Sequence, residues 1–378
     1  MIGRYHILDA LARRLPAPPP PSPGAPPNAV VFTPGHLGDI LHTAPMLRAL
    51  REDRPDWHTT WLVGPWSLAL AKHFASCVSE IVPFAPDHHS YHRGQSPHRQ
   101  SAAAQWRLGL RLRCLAPAAF VSTANESPEA RWLANMLRPS IWSGMGDRRP
   151  PRVHPSVQTH FTPYAKDVPE SLSKLALLRP FGIEPEPARA ALFFPLPPDL
   201  LRAADAFLAA EAIDPARPLV LLSPGSGWPG KNWPADRYLA LADALLSANR
   251  AQVAWLGTAA EASALFPSTP LPGKNWMGRL ELDLLAAVMS RAALWIGNDS
   301  GPMHLAAAAG CPTLSLWGPT EPAKWAPSGP THRHIRLHLR CPGCEYWNPA
   351  ARCLRPTHEC MEAISLPAVL SALAPYLP

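Results

Sequence analysis

Asp299, Ser300 and Gly301 carry the densest chemical signal in the chain. They follow an apolar run, 293–297, and precede Pro302, Met303, His304 and the Ala-rich run 305–309. The pattern predicts a buried strand, a tight turn and the first turn of a helix. Ser300 or Asp299 can cap that helix, and Pro302 sits near its first position, where a missing N–H costs nothing. Gly301 lets a ligand approach the backbone. Unpaired N–H groups and the positive end of the helix dipole then converge on one spot suited to phosphate. Asp299 adds a carboxylate that a phosphate alone would not favour, so the expected ligand also carries hydroxyls, as a nucleotide-sugar does. His304 lies one turn into the same helix, where it is either a satisfied core histidine or a phosphate or sugar contact.

Two further clusters follow predicted strands. The run Ser223-Pro224-Gly225-Ser226-Gly227-Trp228-Pro229-Gly230-Lys231-Asn232-Trp233-Pro234 places a Gly/Ser loop and one lysine before a helix. Such a loop offers backbone N–H groups and a point charge to a diphosphate, although it is not a Walker A sequence. The bland alternative is a flexible loop with a surface lysine, which the flanking Trp-Pro pairs disfavour by stiffening it. The run Thr33-Pro34-Gly35-His36-Leu37-Gly38-Asp39-Ile40-Leu41-His42-Thr43 also leaves a strand and opens a helix. Its spacing is not G-x-G-x-x-G, so a dinucleotide fingerprint is not supported. Gly35 and Gly38 are expected to form a tight loop with room for substrate. Asp39 at the helix start is either a cap or a general base.

Near the C-terminus, Cys341, Cys344, Cys353 and Cys360 read C-x2-C-x8-C-x6-C. Four thiolates suit a tetrahedral structural zinc or iron, and simple buried thiols are the alternative. Four cysteines leave no open coordination position, so a catalytic metal is not expected there. Nowhere does the chain contain an Asp-x-Asp pair, the usual clamp for a divalent cation on a sugar-nucleotide diphosphate. Positive charge would then come from Lys231 and the helix N-terminus.

These residues need a scaffold that brings strand ends together. Short apolar strands at 29–33, 59–63, 80–84 and 118–121 alternate with helical patterns at 40–51 and 67–74. After the proline-punctuated segment 183–198 the alternation resumes, with strands at 219–223, 252–256, 293–296 and 313–317 and helices at 236–249 and 282–291. Alternation of this kind predicts doubly wound parallel sheets. The expected α/β architecture is two Rossmann-like domains facing a cleft, with ligands at the carboxyl ends of strands. The boundaries are 29–185 for the first domain and 196–365 for the second, which includes the Cys-rich segment 341–360. Residues 366–378 form a C-terminal helix. Residues 1–28 read as an appendage: a short amphipathic helix with Ile7, Leu8, Leu11 and Leu15 on one side and Arg13 and Arg14 on the other, then a proline-rich linker. The stretch 87–100 is polar and His-rich, so it reads as a loop.

Composition narrows the classes. At 378 residues and 47% hydrophobic content the chain can build two cores. The sequence contains no apolar run long enough for a membrane span and no continuous h-region of a signal peptide. With seven cysteines a disulfide framework is not indicated, and a reducing cytoplasm is the expected location. The net charge of +7 fits anionic substrates or a peripheral contact with an anionic inner-membrane surface. Without a clustered basic helix or an RNA-binding signature, nucleic acid is not an expected partner.

Gly38-Asp39-Ile40-Leu41-His42-Thr43-Ala44-Pro45, Lys231-Asn232-Trp233-Pro234, the run from Asp299 to Ala308, and Gly318-Pro319-Thr320 together resemble glycosyltransferase family 9, the ADP-heptose:lipopolysaccharide heptosyltransferases. The order and spacing match over roughly residues 29–365. The resemblance implies a GT-B fold with an N-terminal acceptor domain and a C-terminal donor domain, and inverting transfer without a metal ion. It implies Asp39 as the base that deprotonates the acceptor hydroxyl, with Gly35, Gly38 and His42 in the acceptor loop. Lys231 and the Ser300 and Gly301 backbone would hold the diphosphate of an ADP-sugar. Asp299 would contact the donor sugar, Glu261 the ribose and Leu280 the adenine. The acceptor would be lipopolysaccharide core or another glycan. An iron-binding cysteine cluster is a feature of the related autotransporter heptosyltransferases, which leaves a protein acceptor open. A non-catalytic binding or assembly protein is the alternative from another class. His36 and Leu37 depart from the small polar residues common before the Gly-Asp pair.

Overall fold

The computed structural model describes residues 4–85, 100–125, 127–146, 152–337, 339, 353 and 357–377. The chain divides into two compact units, Met1–Ala190 and Ala191–Pro378.

In the first unit, α1 (Arg4–Arg14) leads to β1 (Asn28–Thr33), α2 (Leu37–Asp53), β2 (His58–Val63), α3 (Leu68–Lys72) and β3 (Glu80–Pro83). There follow α4 (Ala102–Cys114), β4 (Ala119–Asn125), α5 (Pro128–Leu137), β5 (Ile141–Met145), β6 (Gln158–Thr162) and α6 (Glu170–Leu175). The six strands lie in the order β3-β2-β1-β4-β5-β6, all parallel. From Ala29 to Thr33, β1 is buried without interruption, as a parallel strand covered on both faces must be.

The second unit runs α7 (Pro198–Ala210), β7 (Leu219–Ser223), α8 (Ala235–Ser247), β8 (Gln252–Trp255), α9 (Ala259–Leu265), β9 (Lys274–Asn275) and α10 (Leu282–Met289). It continues with β10 (Leu294–Asn298), α11 (Gly301–Ala308), β11 (Thr313–Trp317), α12 (Pro322–Trp325), β12 (His332–Arg336), α13 (Glu359–Glu362) and α14 (Leu366–Ala372). Its sheet, also parallel, has the order β12-β11-β10-β7-β8-β9. Counted from each unit's first strand, both sheets follow the same doubly wound order. In that topology the strand order reverses between the first and fourth strands, and loops leaving those two strands part to make a crevice. The switch point lies between β1 and β4 in the first unit and between β7 and β10 in the second.

The N-terminal helix is built into the first core. Tyr5, Leu8 and Ala12 are buried beside Trp132 and Leu133 of α5. Asp9 is also buried, where it accepts from Asn135 Nδ2 at 2.6 Å and pairs with Arg131 at 3.5 Å. Almost every residue of α5 is buried, because sheet and helix enclose it on both sides. The apolar side expected of α1 therefore splits. Leu8 faces inward, while Ile7 and Leu11 face out. The reason is α5, whose partner face is set by Tyr5, Leu8, Asp9 and Ala12, four positions at helical spacing. No helix among the described residues is long and apolar enough to cross a membrane.

Candidate active site

In the first unit the turn after β1 brings a carboxylate to the start of α2. Asp39 is the third helical residue, and His36 occupies the cap. The His36 N–H donates to Asp39 Oδ2 at 2.9 Å, closing a capping box. Gly35 makes this approach feasible, since a Cβ at that position would lie 2.1 Å from Asp39 Oδ2. The Gly35 carbonyl accepts from Trp66 Nε1 at 3.0 Å and from Ser67 Oγ at 2.9 Å, which pins the turn. Beneath Asp39 lies the ammonium of Lys174 on α6. It donates to the Asp39 carbonyl at 3.0 Å and stands 3.5 Å from Asp39 Oδ1 and 3.6 Å from Glu170 Oε1. Lys174 is fully buried and Asp39 half-exposed. The arrangement presents a charged, oriented carboxylate at a strand's carboxyl end, which is what a general base requires. Burial and the Glu170 carboxylate push the Tyr164 phenol up, so Tyr164 is a neutral hydroxyl.

Two expectations for this region need correction. Gly38 does not extend the loop; it lies in the first turn of α2. His42 is one turn further along α2 and buried, so it is no part of a loop. Lys174 escaped the sequence reading because it lies 135 residues from Asp39. Its one local signal is the Glu170/Lys174 spacing of four.

In the second unit the loops leaving β7 and β10 meet. Asn298, fully buried at the end of β10, fastens them together. Its Oδ1 accepts from the Trp233 N–H at 3.0 Å and the Tyr238 hydroxyl at 3.1 Å, and its Nδ2 donates to the Pro224 carbonyl at 2.7 Å. Burial pushes the Tyr238 phenol well above its usual value, so it stays a donor. This staple sets Lys231, at the end of a short 3-10 turn, against Asp299. Lys231 Nζ donates to Asp299 Oδ2 at 3.0 Å, and Thr320 Oγ1 donates to the same oxygen at 2.6 Å. The Asp299 charge is thus matched within the protein and need not repel an incoming anion. Thr320, in the turn after β11, was in a recognised motif but had no expected role.

Ser300 takes the cap position of α11 and Pro302 the first turn, as expected, but the Ser300 side chain makes no capping bond. Its Oγ is buried with no partner among the described residues. A buried hydroxyl costs free energy unless something bonds it, and this one sits where Gly301 begins α11, ahead of Pro302, which has no N–H, and Met303, whose N–H donates to the Ser300 carbonyl at 3.1 Å. Met303 and His304 are buried on α11. Glu261 is the third residue of α9 and closes a capping box with Thr258: the Thr258 N–H donates to Oε2 at 2.7 Å and Thr258 Oγ1 at 3.0 Å. Its other oxygen, Oε1, faces the β7 loop so closely that a Cβ on Gly225 would lie 2.0 Å away. Leu280 is half-buried just before α10.

Of the four cysteines, Cys341 and Cys344 lie outside the described residues. Cys353 and Cys360 are each half-buried, and no group of three or more candidate metal ligands occurs among the described residues. His358 and Cys360 nevertheless pack near the β7 and β11 turns: a Cβ on Gly230 would lie 2.9 Å from His358 Nε2, and one on Gly318 3.0 Å from Cys360 Sγ.

The profile of glycosyltransferase family 9 (heptosyltransferase) matches residues 195–349. Lipopolysaccharide heptosyltransferase 1 of Pseudomonas aeruginosa is 26% identical over 82% of this chain and 83% of its own length. Lipooligosaccharide heptosyltransferase 2 of Haemophilus influenzae is 24% identical over 82% of this chain and 88% of its own. Residues 195–349 thus carry the glycosyltransferase family 9 pattern, and the similarity to these heptosyltransferases extends over 82% of the chain. The chain is a glycosyltransferase. Among solved structures, the Escherichia coli ADP-heptose lps heptosyltransferase II shares its fold, with a TM-score of 0.67 and 19% identity over 92% of this chain and 98% of that one. Both six-stranded sheets with their flanking helices match this GT-B architecture.

Proposed function

We propose that this glycosyltransferase moves a heptose from an ADP-sugar to a lipopolysaccharide-core acceptor, with inversion and without a metal ion. The observation that carries the reading is the buried, unpartnered Ser300 hydroxyl at the start of α11, with Lys231 held beside it. A diphosphate supplies acceptor oxygens for Ser300 Oγ and the Gly301 N–H, and negative charge for the helix end and Lys231. Glu261 Oε1, facing Gly225, takes a ribose hydroxyl, and Leu280 lies against the adenine. The names of the relatives support heptose as the sugar and lipopolysaccharide as the acceptor.

The reaction is a single displacement. Asp39 accepts the proton of the acceptor hydroxyl as that oxygen attacks the anomeric carbon. The bond from that carbon to the donor phosphate oxygen breaks, and the electron pair leaves on ADP. Lys231 and the α11 N-terminus stabilise the charge that builds there. His36 N–H and Lys174 hold Asp39, so its carboxylate need not reorganise during proton transfer.

Calorimetric titration of ADP, UDP, GDP and CDP without added metal, on the native protein and Lys231→Ala, tests the reading. Selective ADP binding that Lys231→Ala weakens is the expected result. Preference for another nucleotide would remove the ADP-sugar, and no binding to any would favour a non-catalytic assembly protein.

A further inference from the structure

Lys174 is shared by two carboxylates. Its ammonium stands 3.5 Å from Asp39 Oδ1 and 3.6 Å from Glu170 Oε1, and it donates to the Asp39 carbonyl at 3.0 Å. Glu170 and Lys174 lie one turn apart on α6, with 4% and 1% of their side chains exposed, against 37% for Asp39. An acid in the first turn of a helix ordinarily serves the helix end from the surface. Glu170 is instead buried against the ammonium. Burying a carboxylate costs free energy even when it is paired, and Lys174 already has Asp39 as a counter-charge. Neutralising the lysine is therefore not reason enough for a second carboxylate.

The reason lies in what a base must do. An ammonium against a carboxylate orients it but also opposes its protonation, because the proton would leave a buried ammonium without its counter-charge. With Lys174 alone, Asp39 would be well aimed and weak. With Glu170 on the other side, Lys174 keeps a carboxylate at 3.6 Å when Asp39 takes up a proton. The other titratable groups on the surrounding elements stand elsewhere. The His36 ring packs beside Trp66, and His42 is buried one turn further along α2. Arg179, just past α6, pairs with Glu184, and Arg189 pairs with Glu52 and Asp53 at the far end of α2. Lys72 on α3 is exposed, and burial keeps the Cys77 thiol protonated near Arg48 and Glu52. Tyr164 is neutral, because burial and the Glu170 charge push its phenol up.

We propose that Glu170 is a positioning residue for the transfer reaction. It holds the Lys174 charge while Asp39 is protonated, so that Asp39 is both fixed in direction and able to accept the proton of the acceptor hydroxyl. Glu170 acts through Lys174 and not on either substrate. The inference rests on the reading of Asp39 as the base. The three groups then divide the work. Asp39 meets the substrate, Lys174 aims it, and Glu170 keeps that aim from weakening the base.

The test is the pH profile of kcat/KM for transfer from ADP-heptose to a lipopolysaccharide-core acceptor, with ADP binding followed by calorimetry. Glu170→Gln keeps the shape and removes the charge. Asp39 then faces an undivided Lys174 with one negative charge fewer nearby, and gives up its proton more readily. The acid limb of the profile is expected to move down by roughly one pH unit, and the plateau to fall about three- to tenfold as the base weakens. ADP affinity stays as in the native protein. Glu170→Asp draws the charge back by one methylene, so its acid limb is expected between the other two, which keeps the proposal testable should the glutamine variant fail to fold. An acid limb unmoved in every folded variant, with Asp39→Ala inactive, would overturn the proposal and leave Asp39 as base. Weakened ADP binding by Glu170→Gln would overturn it by placing Glu170 in the donor site. Normal turnover by Asp39→Ala would overturn the reading of the base and this inference with it.

Discussion

The two lysine–aspartate pairs of this enzyme are built in opposite senses. In the first unit the lysine is underneath: Lys174 has 1% of its side chain exposed and Asp39 37%. In the second the aspartate lies deeper, with Asp299 at 8% and Lys231 at 13%. The inner member of each pair cannot meet a ligand freely; it fixes the charge and the direction of the outer one. A ligand at the first unit thus meets a carboxylate, and a ligand at the second meets an ammonium beside a helix N-terminus. In the proposed reaction, one kind of ion pair, turned over, serves as proton acceptor in one place and as anion site in the other. Neither inner charge is left bare. Lys174 has Asp39 and Glu170 as neighbours, and Asp299 has Lys231 and Thr320. An unpaired buried charge would cost several kcal/mol.

Breaking the outer member of the first pair has the largest expected effect. Asp39→Ala lowers kcat by about a thousandfold, within the usual range for losing a general base, while ADP affinity by calorimetry stays unchanged. Normal turnover in this variant would remove Asp39 as base. Next comes the outer member of the second pair. Lys231→Ala weakens ADP binding about ten- to a hundredfold, the range for one charge-assisted bond; an unaltered Kd would show that the ammonium serves Asp299 alone.

Lys174→Met tests whether an inner charge acts only through its partner. Urea unfolding should show a loss of about 3 kcal/mol, the scale for breaking a buried pair. Steady-state kinetics should show kcat down roughly tenfold, as for a base left less well positioned, with the KM for donor unchanged. A rise in donor KM instead would place Lys174 in substrate binding. The smallest effect is expected of Ser300→Ala. Removing an unsatisfied buried hydroxyl leaves unfolding stability the same or slightly higher. ADP affinity falls about fivefold, the worth of one neutral hydrogen bond. If stability fell and affinity did not, the hydroxyl would have a structural partner.

Much of the scaffold was legible because its signals are local. The apolar runs at β1, β7, β10 and β11 stand out as continuously buried parallel strands. Shorter or more polar strands did not. β6, β9 and β12 contain no continuous apolar run, since they lie at or near sheet edges where one face is partly wet. The site was legible in the same uneven way. Asp39, Lys231 and Ser300 stand next to strand ends, where residue type and turn chemistry mark them. Lys174 and Asn298 do not announce themselves. One lies on a short helix with an ordinary charge spacing, and the other ends a strand as an unremarked amide.

By itself, the sequence determined the alternation of strand and helix, the residue types at the strand ends and the acid-free composition of α4. These follow from short-range periodicity and from which side chains a turn or cap accepts. Only the tertiary structure decided that Lys231 meets Asp299 across 68 residues and Lys174 meets Asp39 across 135. It also decided which side of α1 is buried, and so left Ile7 and Leu11 outside. The reason is common to all three. Which residues become neighbours depends on strand order and on the shape of the surface a helix finds beneath it, and a short window of sequence contains neither.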